Sequence, residues 1–262
     1  MAVEPDGKSL CINAIKKVES RDSAFGSQSE KLEAIIITRD FIDNRYSYEG
    51  DWPFSDEFYE RAVARVRSKG GTIMDGGAGG AKVLIGLIAN SPKNVRGIAV
   101  ARKRSPVDMW LGPKRFQYIE GKVEELTLEN TGEVDLIIDY LGALGYTEHL
   151  DLALQSYLDL MPVGGEIFAY GMTPRIELAP DKFVRINKYL EMSHGFEFIA
   201  PEPPSHKPIG AFYLKKTSAD AKVAKLRWKK TSSGTPPIVI YEFEDASSAD
   251  KLLKSGIVIH TY

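Results

Sequence analysis

The sequence is short of the features that would assign a compartment or a partner at sight. It has one cysteine, Cys11, in 262 residues. A single thiol can form no internal disulfide and no cysteine metal cluster, so the expectation is a protein of a reducing compartment, the cytoplasm. No apolar run approaches the roughly 20 residues that a membrane-spanning helix needs. The opening stretch Met1-Ala2-Val3-Glu4-Pro5-Asp6-Gly7 has neither the basic start nor the apolar centre of a signal peptide. There is no excess of one charge: 34 Lys and Arg stand against 36 Asp and Glu, a formal net charge of -2. That balance gives no overall pull toward nucleic acid or an anionic membrane. Internal repeats, low-complexity tracts and His/Asp/Glu groupings at metal-ligand spacing are also missing. What remains is an ordinary composition, 43% hydrophobic and 27% charged, long enough for one α/β domain with additions.

The most informative stretch is Thr72-Ile73-Met74-Asp75-Gly76-Gly77-Ala78-Gly79-Gly80-Ala81, followed by Lys82-Val83-Leu84-Ile85-Gly86-Leu87-Ile88-Ala89. A short apolar run ending in an acid predicts a buried strand, the glycines a tight turn, and the Leu/Ile/Ala-rich segment a helix. A strand, glycine loop and helix in that order let a ligand approach bare backbone. A nucleotide-like ligand is the expected occupant. Gly77, Gly79 and Ala81 also fit the dinucleotide fingerprint, so the glycines alone do not choose between ligands. The alternative is a turn that only packs a strand on a helix.

Asp75 sharpens the choice. The run Asp75-Gly76-Gly77-Ala78-Gly79 resembles the acid-x-Gly-x-Gly loop of the Rossmann-like S-adenosylmethionine-dependent methyltransferases. The run Leu160-Met161-Pro162-Val163-Gly164-Gly165 is similar to the family's Leu-x-Pro-Gly-Gly turn, with one extra residue. The resemblance covers roughly Gly70 to Lys216. It implies a mostly parallel seven-stranded sheet with an antiparallel edge strand, S-adenosylmethionine as cofactor, and a small-molecule acceptor, because the segment after Asp139 lacks the Asn-Pro-Pro-Tyr type motif. It further implies that Asp75, Gly76, Gly77 and Gly79 hold the methionine end, that Val100 and Val123 flank the nucleoside, and that Asp139 and Tyr140 border the transferred methyl. Two positions depart from the family pattern. Where an acid usually receives the ribose hydroxyls, Ala99 and Ala101 stand, followed by Arg102, Lys103 and Arg104; where an acid meets the adenine, Lys122 stands. Glu120 and Glu124 are the expected substitutes.

Around that centre the chain divides into an amino-terminal extension (1–55), a core (56–216) and a carboxy-terminal appendage (217–262). Apolar spacing predicts helices over Leu10–Val18 and Glu30–Ile42, then the aromatic stretch Arg45–Phe54 as a lid or a hydrophobic hinge. A helix from Ser55 to about Ser68 ends at Gly70-Gly71. Further strands are expected at Val95–Ala101, Arg115–Glu120, Glu133–Tyr140, Glu166–Gly171, Gly195–Ala200 and Ile209–Lys215, with helices at Leu150–Leu160 and Pro180–Met192. In the appendage a basic stretch, Lys222 to Lys230 with Trp228, reads as a solvated face rather than a phosphate surface. A strand near Ile238–Phe243 and a closing helix and strand follow.

Methyl transfer needs alignment above all, and a base only where the acceptor must lose a proton. His149, with Tyr146 beside it, is the candidate pair on the loop after the fourth core strand. Nucleic acid and membrane are not expected as partners, and a homo-oligomer is compatible with the sequence. Two other readings stand beside the methyltransferase. One is a methyltransferase-fold binding protein without catalysis, which explains Ala99 and Lys122. The other is an NADP-dependent oxidoreductase with Arg102–Arg104 on a ribose phosphate.

Overall fold

The computed structural model describes residues 56–79, 81–102, 114–140, 142–172, 174–199, 209–231 and 239–255. The helices, lid and extension expected over 1–55, and the closing strand at Ile257–Ile259, lie outside the described residues. Helix α1 (Asp56–Lys69) carries Arg67 and Lys69 in its last turn, where cations meet the negative end of the helix dipole. Strand β1 (Gly71–Asp75) follows at once, buried from Thr72 onward. Then come helix α2 (Lys82–Ala89), strands β2 (Val95–Ala101) and β3 (Phe116–Glu120), a 3-10 turn at Val123–Glu125, helix α3 (Leu128–Thr131), strand β4 (Leu136–Tyr140), helix α4 (Leu150–Leu160) and strand β5 (Glu166–Met172).

With β8 (Phe196–Ile199) and β9 (Ile209–Lys216), these strands form one seven-stranded sheet in the order β3-β2-β1-β4-β5-β9-β8. Pairing is parallel from β3 through β5, while β9 runs antiparallel to both β5 and β8. The mostly parallel sheet with an antiparallel edge region is therefore present. The opposed strand lies one place in from the edge.

A second sheet of four strands has the order β10-β11-β6-β7, built from β6 (Arg175–Ala179), β7 (Lys182–Arg185), β10 (Leu226–Thr231) and β11 (Val239–Phe243). Strands β6 and β7 make a hairpin turned at Pro180-Asp181, where Asp181 takes a left-handed φ of 60°, a conformation that Asp tolerates better than most residues. The helix expected over Pro180–Met192 is accordingly cut to α5 (Ile186–Leu190). Residues 182–185 find backbone partners on β6 instead, and cross-strand pairing outweighs local helical spacing. Because β11 pairs with β6 in parallel, strands from 226 to 243 share a sheet with residues 175–185. Helix α6 (Ala246–Lys254) closes the described chain, capped by the Asp245 carboxylate on the Ser247 N–H at 3.0 Å.

Two apolar clusters flank the large sheet. On one face Val63, Val66, Leu84 and Ile88 of α1 and α2 meet Ile73, Ile138 and Phe168. On the other, Leu154, Tyr157 and Leu158 of α4 join Ile137 and Ile167 to Ile176, Tyr189, Tyr241 and Phe243 of the second sheet and its helix. Lys216, at the end of β9, is buried and donates its Nζ to the carbonyls of Leu158 and Met161 at 2.7 and 2.8 Å. Those carbonyls belong to the end of α4, which leaves acceptors without intrahelical partners. Replacing Lys216 by Met keeps the aliphatic stem and removes both bonds, so Lys216→Met should cost about 1–3 kcal/mol. The expected readout is a lower urea midpoint at unchanged slope; an unchanged midpoint would show that the ammonium contributes nothing.

Candidate functional site

The strand order reverses between β1 and β4, and in an open α/β sheet the crevice at that reversal, beyond the carboxyl ends of the strands, is the place a ligand can enter. The loop leaving β1 and the loop leaving β4 meet there. Asp75 is buried at the tip of β1, and its Oδ1 accepts the Gly77 N–H at 3.1 Å. Gly76 donates its N–H to the Ile138 carbonyl at 2.9 Å, Ala78 donates to Val100 at 3.0 Å, and the Gly79 carbonyl accepts the Tyr118 hydroxyl at 2.5 Å. The glycine loop is thus stitched to three neighbouring strands.

Why glycine is needed at 76 and 77 follows from what lies opposite. A Cβ at Gly76 would fall 1.8 Å from the Tyr157 hydroxyl, and one at Gly77 would fall 2.2 Å from the Gly142 Cα. The sequence suggests a loop kept bare for a ligand. In the fold, protein atoms already require both glycines, so their presence alone says nothing of a ligand. Neither Gly142 nor Tyr157 was picked out as a site residue. Tyr157 lies on the apolar stripe Leu150, Ala153, Leu154, Tyr157, Leu158, and a stripe of that spacing reads as core; only packing shows where its hydroxyl goes.

That hydroxyl donates to Asp139 Oδ2 at 2.7 Å, and the Leu144 N–H lies 3.3 Å from each carboxylate oxygen of Asp139. Asp139 is 2% exposed. Burial pushes its pKa up to about 7, against the pull of the Tyr157 hydroxyl and the Leu144 N–H, and the nearby charge of Asp75 raises it further. Tyr157 is held well above its ordinary value by burial and by Asp139, so it remains the donor. Two acids, Asp75 and Asp139, therefore stand at the reversal point. Above about pH 7, where Asp139 gives up its proton, their joint negative field suits a ligand that carries positive charge there.

The other expected residues separate by face. Val100 and Val123 are both buried and belong to the same apolar cluster as Leu144 and Tyr146. Tyr140 belongs to the opposite face, stacked on Tyr170 with centroids 4.9 Å apart at 27°; strand alternation turns it away from the side on which Asp139 meets Tyr157. Tyr146 is buried and His149 exposed, at the residue before α4, with its backbone N–H on Thr147 Oγ1 at 2.9 Å. Ala99 is fully buried in the cluster beneath α2, too deep for an acid there to reach a ribose. Ala101, at the strand tip and half-buried, pairs in register with the exposed Glu120.

Among the described residues, no group of three or more His, Cys, Asp or Glu could hold a metal. No helix among them is long and apolar enough to cross a membrane. The basic stretch falls on strand β10, where Arg227 pairs with Glu242 at 2.5 Å and Lys229 pairs with Glu177 and, at 3.6 Å, with Glu242. Those cations are balanced across the sheet.

By strand order and by the acid-ended central strand with its glycine loop, the chain has the Rossmann-like methyltransferase fold. No family model and no curated protein matches it. Solved structures similar to it include an rRNA methylase from Streptococcus thermophilus, at 16% identity over 62% of this chain and 95% of that one, with a TM-score of 0.40. Another is the 1,6-didemethyltoxoflavin-N1-methyltransferase of Burkholderia thailandensis with bound S-adenosylhomocysteine, at 17% identity over 74% and 92%, with a TM-score of 0.43. A third is a plantazolicin methyltransferase, at 11% identity over 79% and 99%, with a TM-score of 0.44. Likenesses this distant add no argument to the strand order and the site residues.

The buried carboxyl of Asp139 makes stability depend on pH in a defined direction. Its ordinary pKa is 3.8, and in the fold it keeps its proton to about pH 7. The native state therefore binds more protons in that window, and stability falls as pH rises from about 4 to about 7. Asp139→Asn retains an acceptor for Tyr157 and cannot ionise. Urea midpoints should show the variant gaining on the unaltered protein between pH 4.5 and pH 7.5, with no further gain above that; a constant gap across the range would overturn the assignment.

Proposed function

We propose that the chain binds S-adenosylmethionine and transfers its methyl group to a small-molecule acceptor. The observation that carries the reading is the meeting, at the β1/β4 reversal, of the Asp75 glycine loop with the Asp139 loop. The donor set fits such a cofactor at one end and on one flank. Asp75 supplies negative field for an amino group and a sulfonium, joined by Asp139 once it ionises above about pH 7, and Val100 with Val123 supplies an apolar wall for an adenine. Gly76, Gly77 and Gly79 present backbone around the methionine end, and Tyr140 lies at the tip of the same strand as Asp139. When bound, the sulfonium supplies a methyl already activated for transfer. The protein's residues then have to align an acceptor against it and keep water away, which proximity alone can make fast. Where the acceptor must lose a proton, His149, exposed on the loop after β4, takes it, with Tyr146 fixing that loop from within the core.

A second reading, a binding protein of this fold that no longer catalyses, is favoured by two observations. Asp139 has its oxygens engaged by Tyr157 and Leu144, and Ala101 and Arg102 stand where a ribose acceptor is expected. An NADP-dependent oxidoreductase has less support, since Asp75 places negative charge beside the loop that a pyrophosphate would occupy. A nucleic-acid acceptor has little support from the basic strand, whose Arg227 and Lys229 are paired within the second sheet.

Calorimetric titration separates these readings. S-adenosylmethionine and S-adenosylhomocysteine should bind, with NADPH inert, and Asp75→Ala should remove binding; heat from NADPH alone would overturn the proposal. Without a ribose carboxylate, affinity should be about ten- to a hundredfold below that of a site possessing one, the equivalent of about 1.5–3 kcal/mol. Ala101→Asp, at the strand tip, should recover part of that loss. No gain from the added acid would mean that the ribose is held by another group, with Glu120→Gln the variant to identify it.

A further inference from the structure

The second sheet meets the loop that bears His149 at Thr147. Every polar group of Thr147 is engaged. Its N–H donates to the Ala143 carbonyl at 2.9 Å, and its hydroxyl donates to Glu124 Oε1 and accepts the His149 N–H. Its carbonyl accepts the hydroxyl of Tyr241, a fully buried side chain on the second strand of the other sheet, β11. Burial first, then the neighbouring charges of Glu124, Asp151 and Glu148, keeps the Tyr241 hydroxyl well above its ordinary pKa, so it donates at any working pH. Glu124 lies in the Val123–Glu125 turn, one residue from the wall proposed for the adenine. Thr147 lies between Tyr146 and His149 on the acceptor side. Supporting contacts run in parallel: the Ser156 hydroxyl holds the Leu126 carbonyl at 3.2 Å, and the two ends of the Gln155 amide hold the Ala221 carbonyl and the Val223 N–H at 3.2 Å each.

We infer that Tyr241 and Thr147 are positioning residues that set the nucleoside-side turn and the acceptor-side loop in one fixed relation, making the second sheet a working part of the site rather than an appendage. The inference rests on the proposed function for what the two segments hold, but not for the coupling itself. An anchor buried in another sheet suits this task, because it moves with neither loop. Glu124 also gains a second purpose: its carboxylate is occupied by Thr147, so its replacement disturbs the loop bearing His149 as well as the turn beside Val123.

Tyr241→Phe keeps the buried ring and removes only the donor, and Thr147→Val keeps the shape and removes only the hydroxyl. Amide hydrogen exchange on the full chain should then show faster exchange at Glu125 and Leu126 and at Tyr146 and Thr147, whose N–H bonds close the two turns, with the amides of β1, β2 and β4 unchanged. Thr147→Ser should restore the unaltered pattern. Titration with S-adenosylhomocysteine should show affinity reduced about fivefold in Tyr241→Phe and in Thr147→Val, the effect of one lost hydrogen bond, and recovered in Thr147→Ser. Exchange that rises evenly over the whole chain, or at neither turn, would overturn the positioning role. A chain that does not bind S-adenosylhomocysteine in its unaltered form would overturn the proposed cofactor, while the exchange pattern still decides whether Tyr241 couples the two segments.

Discussion

Helix α4 has almost no solvent face, and the rest of the molecule is arranged by that constraint. Leu150, Asp151, Ala153, Leu154, Ser156, Tyr157, Leu158 and Leu160 are all buried, because one side lies on the seven-stranded sheet and the other meets the segments leading into the second sheet. A helix with one apolar stripe needs one partner; this one has two. Its polar side chains must therefore find protein partners, since burial without them is costly. Tyr157 turns to Asp139, Ser156 to the Leu126 carbonyl, and Gln155 to Ala221 and Val223. The last carbonyls of the helix turn to Lys216. Each contact ties a different part of the fold to the same rod.

The candidate site inherits its electrostatics from that arrangement. Asp139 would be an ordinary ionised carboxylate at an open strand tip. It is buried because Tyr157 and the Leu144 turn cover it, and its raised pKa is the consequence of the covering. Asp75, one strand away, adds to the effect. A pair of acids brought together at low exposure favours either a shared proton or a cationic ligand, and both outcomes follow from the tyrosine on α4 as much as from the acids themselves. The close approach of Gly77 to Gly142 has the same origin: loops that cover a buried carboxyl have to pack against each other.

On the outer side of the second sheet the balance of forces is different. Arg227, Lys229, Glu242 and Glu177 alternate across neighbouring strands, β10, β11 and β6. The exposed pair of Arg227 with Glu242 contributes little, whereas Lys229 reaches the buried Glu177. The two cations place charge on an edge strand, which discourages further strand addition.

Much of the fold was legible in the sequence, because local pattern and tertiary role coincide there. The run Thr72–Asp75 is buried on both faces of a parallel sheet and so reads as an unbroken apolar strand. The stripe Leu150–Leu160 is a helix within the limits its spacing predicts. Asp75, Asp139 and the glycines were identifiable because strand tips and turns demand particular residue types. The stretch over 180–192 was misread, since pairing with β6 lies outside any local window. The reach of Ala99 was also invisible: its depth beneath α2 depends on how a helix lies on the sheet. Tyr157, Gly142, Thr147 and Tyr241 were missed for one physical reason. A hydroxyl or a glycine on a buried element looks like packing until the chain folds, and its partner is 18 residues distant for Asp139 and Tyr157, and 94 for Thr147 and Tyr241. The sequence by itself determined the seven strands of the large sheet and which acids end at the crevice. Only the tertiary structure decided which of those acids keeps its proton and which distant hydroxyl holds each loop, because burial and hydrogen-bond reach are properties of the assembled chain.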